Sequence, residues 1–111
     1  MNANTYHAEA VKDLSKVFKV LSEPNRIRIL MSMGLECAPV SAIIARTGLS
    51  QTNVSFHLRV LREAGLVKGE RNGSFIFYCL YDTKLLEILS GLTDWREASQ
   101  KARESEYTQS A

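Results

Sequence analysis

The side chains best equipped for chemistry cluster between Ser50 and Ser74. Ser50, Gln51, Thr52, Asn53, Ser55, Arg59 and Arg62 bring hydroxyl, amide and guanidinium groups close together, with Phe56 and His57 among them. Amides and guanidinium forks pair bidentately with base edges, while hydroxyls and arginines bind phosphate. A little further on, Arg71, Asn72 and Ser74 form a second group of the same kind. The same groups would equally make an ordinary solvated surface, so the elements that carry them have to decide. Phe56 suits either a thymine methyl group or a protein partner. His57 falls on the flank of the stretch, suited to packing or to a phosphate contact.

Other chemistry is sparse. Two cysteines 42 positions apart make neither a disulfide framework nor a zinc knuckle, and a reducing, cytosolic compartment is the simple expectation. Cys79 reads as a small core residue. Cys37, in a loop beside Glu36, is the better candidate for a reactive or metal-bound thiol. His7 reads as solvated. No nucleophile–base pair, phosphate-binding glycine loop or carboxylate pair is spaced for catalysis, which argues against an enzyme.

Leu49 to Val67 reads as one helix. Ser50 stands at the N-cap, and Val54, Leu58 and Leu61 form an apolar stripe. Gln51, Thr52, Ser55, Phe56, Arg59 and Arg62 take the opposite face, and Gly65 ends the helix at C′. Before it, Val40–Arg46 reads as a helix opened by Pro39, with Val40, Ile43 and Ile44 inward. The turn Thr47-Gly48-Leu49-Ser50 joins the two, a helix-turn-helix layout. Upstream, Ala8–Leu21 and the run from Pro24 to Gly34 are helical, the latter with Ile27, Leu30 and Met31 as its inner face. Arg26 could reach DNA, cap a neighbouring element or stay solvated. Leu35–Pro39 reads as a connection.

After Gly65 the period changes to two. Leu66–Arg71 and Ser74–Tyr81 flank Asn72-Gly73, a strong hairpin signal. A hairpin placed after a helix-turn-helix, with Arg71, Asn72 and Ser74 at its tip, has the layout of a wing; the alternative is a plain ribbon closing a core. Asp82 then caps a final helix containing Leu85, Leu86, Ile88, Leu89, Leu92 and Trp95. This helix and the first (Val11, Leu14, Val17, Phe18, Val20 and Leu21) are apolar over more than one face. That suits a partner subunit or, for the first helix, burial in a small core.

The chain has 111 residues, a net charge of +2 and 45% hydrophobic residues, which fits one domain with a modest core. Residues 46–74 hold five basic and two acidic side chains, so positive charge is concentrated on the candidate surface. There is no apolar run long enough for a membrane span and no secretory signal pattern. The expected organisation is a disordered N-terminus over 1–7, a DNA-binding and dimerisation domain over 8–103, and a flexible tail over 104–111.

From about Leu21 to Leu89 the residues resemble the ArsR/SmtB family of metal- and effector-responsive transcriptional repressors. LSEPNRIRIL is similar to the family's entry into its second helix, with Glu23 in place of the usual Asp. LSQTNVSFHLRVLREAGLV resembles its recognition helix and RNGSFIFYCL its wing. The resemblance implies a mainly α fold with a small β-hairpin (α+β), a winged helix-turn-helix of order α-α-α-α-β-β-α, dimerising through its first and last helices. It implies a homodimer that grips double-stranded operator DNA at an inverted repeat, with Ser50, Gln51, Thr52, Asn53, Ser55, Phe56, His57, Arg59, Arg62, Arg71, Asn72 and Ser74 as candidate contacts, and that releases it on binding an effector.

The family's sensor sites are altered. Its thiol motif is replaced by Glu36-Cys37-Ala38-Pro39-Val40-Ser41-Ala42-Ile43, with one cysteine out of register. In the last helix Asp82 aligns, but Lys84 stands where a histidine belongs, and Trp95 and Ala98 replace a second ligand pair. Neither common metal site is expected, no cofactor is implied with certainty, and Cys37 is left as a weak candidate effector thiol. Two other roles stay open: a winged-helix module that binds protein, and a DNA-binding regulator that needs no effector.

Overall fold

The computed structural model describes the backbone of residues 3–110 and the side chains of residues 7–107. The order is α1 (Ala3–Leu21), α2 (Pro24–Met33), β1 (Ala38–Pro39), α3 (Val40–Thr47), α4 (Gln51–Glu63), β2 (Val67–Asn72), β3 (Phe75–Leu80) and α5 (Lys84–Ser110). The chain divides into two compact units, one up to Tyr81 and one from Asp82 onward. This is the expected winged helix-turn-helix with one strand more than the sequence suggests. Helices α1 and α5 reach into segments expected to be loose, while residues 1, 2 and 111 lie outside the described ones.

In the first unit, α2 packs against α1, α3 and α4. Ile29, Leu30, Ile43, Val54, Leu58, Leu61 and Val67 are its fully buried side chains. The α4 stripe lies inward as the periodicity predicts. The phase of α2 does not: Ile29, Leu30 and Met33 are buried, whereas Met31 is 50% exposed. Apolar residues at 27, 29, 30, 31 and 33 surround the helix, so spacing alone cannot choose its inner face.

Helix boundaries follow local chemistry. The Glu23 carboxylate accepts from the Asn25 and Arg26 amides at 2.8 and 3.3 Å, and Pro24 takes the first helical position. The Ser50 hydroxyl accepts from the Asn53 amide at 3.1 Å and starts α4. Past the end of α4, Gly65 adopts φ 78°, which lets the Leu66 amide reach back to the Leu61 carbonyl at 3.0 Å.

The sheet has the order β1-β3-β2 and is antiparallel throughout. Strand β1, expected to be plain connection, pairs Ala38 with Tyr78 and Pro39 with Phe77. In the hairpin Asn72 pairs with Phe75, so the tight loop is Gly73-Ser74, one residue later than expected, with Gly73 at φ 66°. The β1–β3 pairing also overturns the expectation that the cysteines stay apart. Cys37, just before β1, is joined to Cys79 on β3 by a disulfide.

The second unit is the single helix α5. Its start is capped by Asp82, whose Oδ1 accepts from the Lys84 amide at 2.9 Å. Among the described residues, no helix is long and apolar enough to cross a membrane.

Leu58→Ala, at a site 1% exposed, should lower stability by about 2–5 kcal/mol. Phe56→Ala, two positions away and 49% exposed, should stay within about 0.5 kcal/mol. Urea unfolding of the two variants checks this contrast.

Candidate nucleic-acid interface

The turn before α4 is held by hydrogen bonds around the buried Thr47. Thr47 is buried; its hydroxyl donates to the Ile43 carbonyl at 2.7 Å and accepts from the Leu49 amide at 3.3 Å. The Gly48 amide closes α3 on the Ile44 carbonyl at 2.8 Å. Arg28 donates to the Thr47 carbonyl, and Arg46 donates to the Ser32 carbonyl at 2.8 Å. Two guanidinium groups thus tie α2 to α3 and fix the angle at which α4 departs.

Opposite its buried stripe, α4 exposes Gln51, Thr52, Asn53, Ser55, Phe56, Arg59 and Arg62. No hydrogen bond or ion pair is formed within the described residues by the side chains of Gln51, Thr52, Asn53, Arg59 or Arg62. Ser50 is exposed too, with its hydroxyl engaged in the cap.

His57 is the exception among the candidates. It is buried, 8% exposed, and its Nδ1 accepts from Arg26 Nε at 3.3 Å. The tautomer that accepts at Nδ1 carries its proton on Nε2, which lies 3.7 Å from the Glu23 carboxylate. Arg26 also donates to the Val20 carbonyl at 3.2 Å. His57 therefore leaves the candidate DNA surface and joins a polar link between α1, α2 and α4. Position on a helix flank did not separate the two roles. The Glu23 and Arg26 partners that decide it lie more than thirty residues upstream.

Burial along β3 is graded rather than alternating. Phe75 and Ile76 are 65% and 40% exposed, Phe77 and Tyr78 half-buried, and Cys79 and Leu80 each 6% exposed. A ribbon closing a core would bury every second residue along its length. This one buries only its base and projects its tip, which is the geometry of a wing. Arg71, Asn72 and Ser74 are all exposed at that tip.

Comparison with known proteins follows the same lines. A family model described as a helix-turn-helix domain matches residues 21–70. The HTH-type transcriptional regulator NmtR of Mycobacterium tuberculosis is 37% identical over 82 residues, covering 74% of this chain and 68% of that protein. The chain belongs to the ArsR/SmtB family. A transcriptional repressor SmtB homolog of Synechocystis is 26% identical over 91 residues, covering 82% of this chain and 69% of the relative. The crystal structure of Rv0081 from M. tuberculosis superposes with a TM-score of 0.75 at 29% identity, covering 85% of this chain and 95% of that one. Members of the ArsR/SmtB family are transcriptional regulators with a DNA-binding winged helix.

At the positions of the ArsR/SmtB sensor sites, Asp82 serves as the α5 cap, and Lys84, Trp95 and Ala98 are exposed. His7 is exposed on α1. Cys37, in the segment that replaces the thiol motif, lies with Glu70 and Cys79 so that their Sγ and carboxylate atoms are within 4.8 Å of one another. Both sulphurs are engaged in the disulfide. Glu70 had no signal in the sequence, because only the β2–β3 register, which sets Glu70 opposite Phe77 and Lys68 opposite Cys79, brings it near the sulphurs.

Glu23 caps α2 and also faces His57. Glu23→Ala should destabilise by about 0.5–2 kcal/mol. Glu23→Asp, which restores the family's usual residue, should recover part of that loss in the same thermal melts.

Proposed function

We propose that this chain is a homodimeric transcriptional repressor that places α4 of each subunit in successive major grooves of an inverted-repeat operator. The observation that carries this reading is the polar face of α4. It is exposed, unpaired and set opposite a fully buried stripe, so the helix can enter a groove without unfolding anything. Gln51, Thr52 and Asn53 lie in the first turn, where a recognition helix meets base edges. Ser50, Ser55, Arg59 and Arg62 take phosphates, Phe56 meets a thymine methyl, and Arg71, Asn72 and Ser74 reach the backbone or minor groove from the wing.

Dimerisation uses the apolar surface of the first and last helices. Val11, Leu14 and Phe18 are 56, 53 and 55% exposed on α1, and Ile88, Leu92 and Trp95 are 51, 40 and 63% exposed on α5. Stripes of that size on a small domain are covered in the working assembly. The functional domain spans 8–103, the protein acts in the cytoplasm beside the genome, and it performs no catalysis. An effector releases the operator.

Binding to DNA from upstream of its own gene should weaken steeply with salt. Arg59→Ala should weaken binding to any duplex and lower the salt slope by about 1, whereas Gln51→Ala or Thr52→Ala should relax sequence preference by about 1–3 kcal/mol per position. Equal losses on operator and random DNA for all three would contradict these assignments. Binding without salt dependence would favour a protein-binding module instead. Phe18→Asp should give a monomer in sedimentation and abolish operator binding; a dimer that survives it would move the interface off α1.

A further inference from the structure

The DNA-facing surface leaves the two cysteines unused, yet they are joined. The β1–β3 register carries Cys37 opposite Cys79, with their Cα atoms 4.3 Å apart. The bond spans 42 positions and encloses α3, α4 and β2, which is the whole helix-turn-helix and one strand of the wing. Without it, β1 is held to β3 by two paired residues, one of them a proline with no N–H to give. We infer that Cys37 and Cys79 are a reversible dithiol–disulfide pair whose oxidised form fixes the base of the wing to the entrance of α3 and binds DNA more tightly.

Three observations bear on this. A regulator that works beside the genome shares its reducing compartment, where disulfides are rare and those that form are mostly catalytic or redox-sensing. The two sulphurs are also unequal, as an attacking and a resolving thiol are: Cys37 is exposed and Cys79 is 6% exposed. Lastly, Glu70, whose carboxylate lies within 4.8 Å of both sulphurs, is held by the Lys68 ammonium at 3.2 Å, which offsets its repulsion of a thiolate.

The oxidant is hydrogen peroxide or a related hydroperoxide. The Cys37 thiolate attacks a peroxide oxygen, the O–O bond breaks, and a sulfenic acid and hydroxide result. The Cys79 thiolate then attacks the sulfenic sulphur, forming the S–S bond and expelling a second hydroxide. Protonated by the two released thiol protons, these leave as two waters: two thiols and one peroxide give one disulfide. A small-molecule thiol reverses it through a mixed disulfide on exposed Cys37. The oxidised form binds more tightly because the wing and the helix-turn-helix are already held in one arrangement.

The inference rests on the DNA-binding reading, and one experiment separates their failures. The full-length chain is reduced, or oxidised with one equivalent of hydrogen peroxide. Its free thiols are counted by alkylation and intact mass, and its affinity for a fluorescent duplex from its own upstream region is measured by anisotropy. Two thiols should fall to none within a single chain, and affinity should rise at least about fivefold on oxidation. Cys37→Ser and Cys79→Ala should bind DNA equally in both conditions, the exposed Cys37→Ser serving where Cys79→Ala does not fold. Thiols that stay free, or equal or weaker affinity after pairing, would overturn the switch while leaving DNA binding intact. No DNA binding in either state would overturn both. If cadmium ion binds the reduced chain one to one through Glu70 and peroxide fails to pair the thiols, the cluster is a metal site instead.

Discussion

Every exposed group on α4 is aimed by what is buried on the other side of the same helix. Val54, Leu58 and Leu61 are at most 1% exposed, as are Ile29, Leu30 and Ile43 on the α2 and α3 against which α4 packs. Because side chains on a helix are rigidly phased, fixing that stripe also fixes the direction of Gln51, Thr52, Arg59 and Arg62. The hydrophobic effect carries no information about DNA, yet it sets the orientation on which recognition depends. A different buried face would rotate every polar group away together.

The hydrogen-bonded polar groups around the turn do a different task. Apolar contacts tolerate sliding and hydrogen bonds do not. Thr47, Arg28 and Arg46 define the angle between α3 and α4, and the Glu23–His57–Arg26 link sets how α2 and α1 meet α4. Each member is satisfied; among the described residues no buried side-chain nitrogen or oxygen lacks a partner. Such a network is worth more as a geometric constraint than as net stability.

Much of this was legible in the sequence. Ser50, Pro24, Gly65 and the Asn72-Gly73 region announced their caps and turns because those signals are local. The stripe on α4 was legible because its apolar residues occupy one face only. In α2 apolar residues surround the helix, so its inner face had to wait for tertiary packing. His57 stayed open between packing and a phosphate contact because its partners, Glu23 and Arg26, come from a distant segment. The two-residue β1 has no periodicity to detect, and without it nothing places Cys37 beside Cys79. What sequence order hides is what depends on contacts between distant segments.

The graded burial of β3 makes the hairpin a cantilever. Its base is clamped at Cys79 and Leu80, and the arm of four residues beyond it, Phe75–Tyr78, is about 13 Å long at the usual strand rise of ~3.3 Å. Over that length, a tilt of ~5° at the base displaces the tip by about 1 Å, as much as the whole margin between a good hydrogen bond and none. Stiffness is needed at the root, where it costs the tip none of its access to solvent. The tip can therefore remain a bare pair of residues, Gly73 and Ser74, while its aim is decided about 13 Å away, where the strand enters the core.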